Sequence, residues 1–591
     1  MHKQGLRRAV WPVVVAATAL TACSSSDFMP ANPDRDGTAA VTASVDAEGD
    51  ELVLLEQQQE ARRRVSSQRA IQGQTQLRKY EAALMLHTLV LPRPAPPPIE
   101  ADRESYGEIN ENPLKLVSQQ PVSTFSIDVD TGAYANVRRF LLDGRLPPAN
   151  AVRVEEMLNY FNYGYAGPVH GNTPFSVTTE LGVTPWNQST RLLQIGVQGL
   201  RLKPHEVPAS NLVFLIDVSG SMRSQAKLGL LKACLKMLTN QLRAEDRVTL
   251  VVYAGSSGVV LEPTPGNQKH KIVSALESLR AGGGTHGAAG IRLAYAKARQ
   301  AFIPGGVNRV LLVTDGDFNV GTTNFDALKN LIKRERASGV SLTTLGFGTG
   351  NLNERLMEQL ANVGNGNYAY IDSAREANKV LVQQMAGTLA TIAKDVKIQI
   401  EFNPAVVSEY RLIGYENRQL RREDFRNDKV DAGEIGAGHS VTALYEVTLA
   451  GTDSGRFAPL RYQPNGTSKA DAAGAGKVVR GTEMAFLRMR YKATGGSKSN
   501  LVVTPIAAPG HMSVNHSGRF KLAAAVAGFG QLLRDGRYIQ AFGFDDVVRL
   551  ATAADVPDTD GYVAEFRQLA NVAKALTGHQ NLQSRVSIQN E

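Results

Sequence analysis

The sequence of 591 residues contains only two cysteines, Cys23 and Cys234. A chain with so few thiols has no disulfide framework, so each cysteine needs its own explanation. Cys234 falls on the apolar side of a predicted helix, where a cysteine behaves as a small buried apolar residue. The length also excludes a single hydrophobic core, because cores stop growing at roughly 250–300 residues. We therefore expect several folded units.

Blocks of basic residues interleaved with aromatic residues are also missing, although the formal net charge is +9. The 65 basic and 56 acidic residues are spread along the chain, whereas a nucleic-acid-binding surface gathers basic side chains into a patch. The composition therefore argues against a nucleic-acid partner.

Three common catalytic signatures are absent from the sequence. There is no H-E-x-x-H zinc motif and no G-x-S-x-G nucleophile elbow. The stretch "IDVDTG" contains Asp128 and Asp130, but no second Asp-Thr-Gly follows, and an aspartic protease needs two matching carboxylates. We interpret these aspartates as a turn that caps the following helix. The sequence predicts no enzyme activity.

The first 23 residues have the order of an export signal. Lys3, Arg7 and Arg8 precede the apolar stretch "AVWPVVVAATAL", and "LTAC" ends at Cys23. "LTAC" is similar to a bacterial lipobox, which implies that cleavage leaves Cys23 as the lipid-bearing first residue; a plain secretory signal is the alternative. By the same resemblance, Ser24 implies an outer-membrane lipoprotein of the cell envelope, facing the periplasm or the cell surface.

Composition and periodicity divide the remaining chain into four parts. Residues 24–120 are a predicted tether, disordered and then helical, and residues 121–208 are an α+β flanking region. In residues 209–395, apolar strands alternate with helices, the last of them predicted over residues 376–393. Residues 396–591 are β-rich and then helical. The predicted fold class is α/β, with a doubly wound, mostly parallel sheet between β-rich flanks and a helical C-terminal end.

The β-rich flanks on the two sides of the α/β segment contain few strands each. Either flank alone would leave strand edges unpaired, which proteins generally avoid. We therefore predict that the two flanks pair with each other into a β-sandwich, into which the α/β domain is inserted.

Oxygen-bearing side chains stand where several predicted strands end. "VFLIDVSGSM" places Asp217, Ser219 and Ser221 directly after a buried strand, "GGGTHG" offers Thr285, and "VLLVTDGD" offers Asp315. In parallel sheets, ligands bind beyond the carboxyl ends of the strands, and magnesium prefers oxygen ligands. The sequence predicts a Mg²⁺ site at these five residues, with Mn²⁺ and Ca²⁺ as alternatives.

This pattern resembles the metal-ion-dependent adhesion site (MIDAS) of von Willebrand factor type A (VWA) domains, over about residues 209–395. The resemblance implies that the hydroxyls of Ser219, Ser221 and Thr285 bind the ion, whereas the two aspartates bind it directly or through water. It also implies one open position for an acidic side chain of a partner. The flanking stretches "STFSIDVDTGAYANVRRFL" and "YRLIGYENR" resemble bacterial VWA-domain lipoproteins.

These interpretations combine into one predicted function. The chain is expected to be a lipid-anchored envelope protein that binds a protein partner through a Mg²⁺-dependent adhesion site. The alternative is an envelope assembly scaffold that binds through its flanking regions and keeps the metal site for structure. Alanine at Ser219 and Ser221 would separate the two, because the scaffold would keep its partner.

Overall fold

A computed structural model describes most of the chain after residue 102. The predicted signal peptide with Cys23, and the predicted tether up to that residue, lie outside the described part. Within the described part, no helix is both long and apolar enough to cross a membrane. The described residues are 103–169, 173–203, 205–285, 287–316, 325–384, 387, 389–452, 454–457, 482–509 and 516–589.

The N-terminal flank contains short strands, two α-helices and a long hairpin among its described residues. It begins before the predicted boundary at residue 120, because Lys115 and Leu116, placed in the tether by the sequence, pair with Tyr410 and Glu409 of the C-terminal flank. The two hairpin strands pair antiparallel, with Leu181 opposite Leu193, which confirms the antiparallel pair expected from two alternating runs separated by turn residues. The elements are β1 (Lys115–Leu116), β2 (Val122–Ser126), α1 (Gly132–Leu142), α2 (Val154–Asn159), β3 (Phe175–Thr184) and β4 (Asn187–Gly199).

The central segment alternates strands and helices, as its apolar periodicity predicts. Its elements are β5 (Ser210–Asp217), α3 (Leu230–Gln241), β6 (Arg247–Tyr253), β7 (Ser257–Pro265), α4 (Lys269–Ser278), α5 (Gly287–Gln300), β8 (Val307–Thr314), α6 (Phe325–Arg336), β9 (Ser341–Phe347), α7 (Glu354–Val363), β10 (Tyr368–Ile371) and α8 (Ala374–Asn378).

The strands of this segment form one sheet in the order β10-β9-β8-β5-β6-β7. Among the described strands of this sheet, only β7 runs antiparallel to its neighbour. In the central strand β5, Phe214 packs into a cluster with α3 and α4, whereas Leu215 packs into a cluster with α5 and α6. Both faces of the sheet are covered by helices, so the predicted doubly wound α/β fold is confirmed.

The C-terminal flank contains further strands followed by helices, which confirms the predicted helical end. The helix predicted over residues 376–393 is wrong at its end, because Thr391 to Ala393 already belong to a strand. That strand begins at β-branched Thr391 and Ile392, and Ala393 pairs with Ile435 on one side and Ala493 on the other, which favours the extended backbone. The elements are β11 (Thr391–Phe402), β12 (Val407–Ile413), β13 (Gly433–Gly436), β14 (Ser440–Leu449), β15 (Glu483–Ala493), β16 (Ser499–Ala507), α9 (Gly518–Leu533), α10 (Phe544–Thr552) and α11 (Tyr562–Gln589).

The two flanks pair with each other, as predicted. One sheet has the order β1-β12-β14-β4-β3, and the other has the order β13-β11-β15-β16 with β2 also on β11. Val197 of the N-terminal flank stands opposite Val441 of the C-terminal flank. Side chains from both sheets, including Ile398 and Leu487, share one buried cluster with Val197. The α/β segment is thus an insertion in a β-sandwich.

The chain enters and leaves the α/β segment at the same end of its parallel strands. The N–H of Val307 donates to the carbonyl of Ala209, immediately before β5, at 2.9 Å. Arg309, near the start of β8, donates from Nη2 to the carbonyl of Leu389 at 3.3 Å. Both connections therefore lie at the amino ends of the parallel strands, opposite the edge where Asp217 and Asp315 stand.

Candidate metal site

Asp217 ends strand β5 and is fully buried. Its Oδ1 accepts the N–H of Ser219 at 2.8 Å, which folds the chain back in an Asx turn. Its Oδ2 accepts the hydroxyls of Tyr253, at the end of β6, and Thr314, at the end of β8, each at 3.2 Å. The neighbouring strands therefore fix the orientation of this carboxylate.

The two serines follow at the next turn, and the structure brings them together. The Oγ atoms of Ser219 and Ser221 are 3.0 Å apart. Ligands at about 2.0–2.1 Å in an octahedral shell place neighbouring oxygens about 2.9 Å from each other. The spacing of the two hydroxyls therefore fits two adjacent ligands of one magnesium ion.

The glycine-rich loop that carries Thr285 is hydrogen-bonded to the serine turn. The N–H of Gly220 donates to the carbonyl of Gly283 at 3.1 Å, and the N–H of Gly282 donates to the carbonyl of Val218 at 2.7 Å. Gly283 has a φ of 88°, which glycine adopts without strain. Thr285 is half-buried, two residues beyond this contact. The loop therefore carries Thr285 to the same sheet edge as the serines.

Asp315 directly follows β8 and is fully buried. Its Oδ2 accepts a hydrogen bond from Nζ of Lys227 at 2.9 Å. Because β5 and β8 are parallel neighbours, with Ile216 beside Val313, Asp315 stands next to Asp217. Sequence reasoning found both aspartates and missed the lysine, which lies six residues beyond Ser221 without a motif of its own.

The two carboxylates share a poorly hydrated site. Burial raises the pKa of Asp217 to about 6, and the negative charge of Asp315 acts in the same direction, against hydrogen bonds from Ser219 that lower it. Burying two nearby carboxylates is unfavourable unless a cation neutralises them. Two carboxylates and three hydroxyls are a hard oxygen donor set, which suits Mg²⁺ better than a soft transition metal.

Asp128 and Asp130 form a second acidic cluster with Glu358 of helix α7. One guanidinium nitrogen, Nη2 of Arg418, lies 3.1 Å from Asp128 and 3.3 Å from both Asp130 and Glu358. An arginine thus already occupies the position among these carboxylates that a cation would take. The cluster is an ion-pair centre.

The predicted capping role of Asp128 and Asp130 is wrong. Asp130 accepts the N–H of Tyr368 instead, at 2.8 Å. In the first turn of α1, the N–H of Ala133 donates to Oε2 of Glu156 at 2.8 Å. A glutamate from α2 therefore satisfies the helix end, because Asp130 is turned towards strand β10.

Three family models match successive parts of the chain. Residues 100–194 match "von Willebrand factor", residues 211–384 match "von Willebrand factor type A domain", and residues 387–576 match "Uncharacterized protein YfbK, C-terminal". The second match covers the six strands β5 to β10 apart from Ser210.

Two relatives and one solved structure are similar to this chain over different shares of its length. The chain is 46% identical to YfbK of Escherichia coli (strain K12) over 479 residues, which are 80% of this chain and 81% of that protein. It is 31% identical over 169 residues, 27% of this chain and 18% of the relative, to the inter alpha-trypsin inhibitor heavy chain 4 of Mus musculus. A von Willebrand factor type A structure from Catenulispora acidiphila superposes with a TM-score of 0.38 and 14% identity, covering 66% of this chain and 88% of that one. The identity of 46% to YfbK over 80% of the chain shows that this chain belongs to the YfbK family of proteins with a von Willebrand factor type A domain.

Proposed function

We propose that this chain is a lipid-anchored protein of the cell envelope that binds a partner protein through a divalent cation at the carboxyl edge of its parallel sheet. The proposed activity is binding, without a catalytic step. The observation that carries the proposal is the pair of hydroxyls on Ser219 and Ser221, 3.0 Å apart, beside the buried carboxylates of Asp217 and Asp315. VWA domains often mediate protein–protein interactions, and this chain contains one.

Each residue of the site has a distinct part in this proposal. Ser219, Ser221 and Thr285 would hold Mg²⁺ through their hydroxyl oxygens, while Asp217 and Asp315 would neutralise its charge directly or through water. When bound, the ion supplies an electrophilic position for a carboxylate of the partner. The strands that orient Asp217 preorganise the donor set, so little ordering is needed when the ion binds.

The envelope location is proposed from the leader sequence. Cys23 would carry the lipid after cleavage. The three acyl chains of a tri-acylated cysteine would hold the protein at the outer membrane. Labelling with radioactive palmitate, compared between the parent and Cys23→Ser, tests this step, because only the parent should incorporate label.

A magnesium titration of the purified full chain in detergent tests the metal site. We expect Mg²⁺ to raise the thermal midpoint of the parent relative to EDTA, and to leave the double variant Ser219→Ala/Ser221→Ala unchanged. The matched control is Ser256→Ala/Ser274→Ala, which removes two exposed hydroxyls and should respond like the parent. A double variant that still responds to Mg²⁺ would contradict the assignment of the two serines.

Partner capture from an envelope extract separates adhesion from the scaffold alternative. Adhesion through the ion predicts a protein that is retained in Mg²⁺, released in EDTA and absent from the serine double variant. If the same protein is retained in EDTA and by the double variant, binding occurs through the flanking regions, and the metal-dependent proposal is wrong.

A further inference from the structure

Lys227 lies beside the candidate metal site, in the π-helical turn Gln225–Gly229 that precedes helix α3. Its Nζ donates to Oδ2 of Asp315 at 2.9 Å and to Oδ1 of Asn351 at 3.0 Å. Only 11% of the side chain is exposed. π-helical turns occur frequently at functional sites, and here the turn places an ammonium group on a candidate metal ligand.

The surroundings hold the lysine in this position. Its aliphatic stem lies against Gly348, and a Cβ added at that glycine would be 2.3 Å from Cε of Lys227. Gly348 has a φ of 79°, and its carbonyl accepts the hydroxyl of Tyr370 at 2.6 Å. The fixed glycine and Asn351 thus confine the stem and the ammonium, so the contact with Asp315 does not depend on a freely rotating surface chain.

The lysine changes the charge balance of the site. Ionised Asp217 and Asp315 alone carry two negative charges, and a divalent cation would bring their sum to zero. With the ammonium of Lys227 included, the empty site carries one negative charge and the loaded site carries one positive charge. Charges in such a buried site interact more strongly than in water, so this difference affects both binding steps.

We propose that the ammonium of Lys227 competes with a divalent cation for the carboxylate of Asp315. The lysine thereby weakens the affinity of the site for the cation and strengthens the binding of a carboxylate ligand by the loaded site. This inference rests on the proposed function of the same five residues. A cation must bind beside an existing ammonium, which opposes it. Once the cation is bound, the positive net charge favours a carboxylate ligand over a neutral amide.

Isothermal titration of the full chain in detergent with MgCl₂ alone tests the first half. Lys227→Met keeps most of the stem volume and removes the charge, and Lys227→Gln is a second variant that keeps a polar end. We expect both to bind Mg²⁺ on the order of tenfold more tightly than the parent. Lys236→Met on helix α3, whose lysine pairs with the surface residue Glu277, is the matched control and should bind like the parent.

Sodium acetate, added at saturating Mg²⁺ and followed by thermal midpoint, tests the second half. We expect acetate to stabilise the parent and Lys236→Met, with an effect at least severalfold smaller in the two Lys227 variants. Variants that match the parent in both titrations would overturn the role of Lys227 and leave the metal site intact. If neither parent nor variants bind Mg²⁺, the proposed function itself is wrong and the inference with it.

Discussion

Arg418 places Nη2 of its guanidinium 3.3 Å from Oε1 of Glu358. The arginine lies five residues beyond β12 of the sandwich, and the glutamate belongs to helix α7 of the inserted domain. The same nitrogen contacts Asp128 and Asp130 from the N-terminal flank. One side chain therefore connects the three parts of the described chain.

Arg418→Met should strongly destabilise the protein. The substitution leaves three buried carboxylates without their shared cation, and breaking a buried ion pair from one side costs about 3–5 kcal/mol. Chemical denaturation of the parent and the variant measures the loss. Arg421→Met, at an exposed position, is the control and should change stability little. Equal stability of Arg418→Met and the control would contradict the ion-pair centre.

Gly132→Ala should weaken the packing between helix α1 and strand β10. A Cβ at Gly132 would lie 2.4 Å from Cε1 of Tyr368, whose ring is buried. Overpacking of this kind typically costs about 1–3 kcal/mol, so the thermal midpoint should fall. Gly167→Ala is the matched control, because a Cβ there would meet no atom within 4 Å. Equal thermal midpoints for Gly132→Ala and Gly167→Ala would contradict close packing at Gly132.

The stability of the protein should decrease as pH rises, because the buried carboxyl of Glu434 loses its proton. Burial raises the pKa of Glu434 to about 8, and the negative charges of Asp431 and Asp395 contribute. The folded state therefore binds more protons than the unfolded state above a pH of about 4.5. The stabilisation is complete below that pH, declines as pH rises, and is lost above a pH of about 8.

Glu434→Gln removes this titration, so the difference in stability between parent and variant should change by a few kcal/mol between pH 5 and 8.5, at about 1.4 kcal/mol per pKa unit. Thermal midpoints across that pH range measure it. Glu423→Gln changes an exposed carboxylate and should run parallel to the parent. A Glu434→Gln profile parallel to the parent would show that the carboxylate does not titrate in this range.

Thr285 offers a matched pair of substitutions at the candidate metal site. Thr285→Ser keeps the hydroxyl, whereas Thr285→Ala removes it. We expect Mg²⁺ affinity to fall at least about tenfold in the alanine variant, equivalent to about 1.4 kcal/mol, and to stay near the parental value in the serine variant. Titration calorimetry with MgCl₂ measures both. Equal affinities would remove Thr285 from the ligand set.

Local sequence patterns were sufficient to predict the inserted sheet and the residues grouped at its edge. The apolar run of β5 ends at Asp217, and apolar residues at helical spacing follow it, so both signals lie within one stretch of the chain. The pairing of the flanks was also predictable, because each flank has few strands and their edge strands need backbone hydrogen-bonding partners.

Contacts between distant residues were not predictable in this way. Asp128 and Asp130 look like a helix cap locally, but their partners Arg418 and Tyr368 lie more than two hundred residues away. Lys227 has no pattern that distinguishes it from a surface lysine of an amphipathic helix. Its partners Asp315 and Asn351 come from later strand ends, and only the fold brings them together.

The chain enters and leaves the inserted domain at the amino ends of its parallel strands, and this arrangement has a mechanical consequence. The connections near Ala209 and Leu389 lie at the amino ends of the strands, and Asp217 lies at the opposite end of β5. A force applied at Asp217 and resisted at these connections would run along the strands. The hydrogen bonds between β5 and its neighbours β6 and β8 would then be sheared together rather than peeled apart one at a time, a geometry in which a sheet resists tension best.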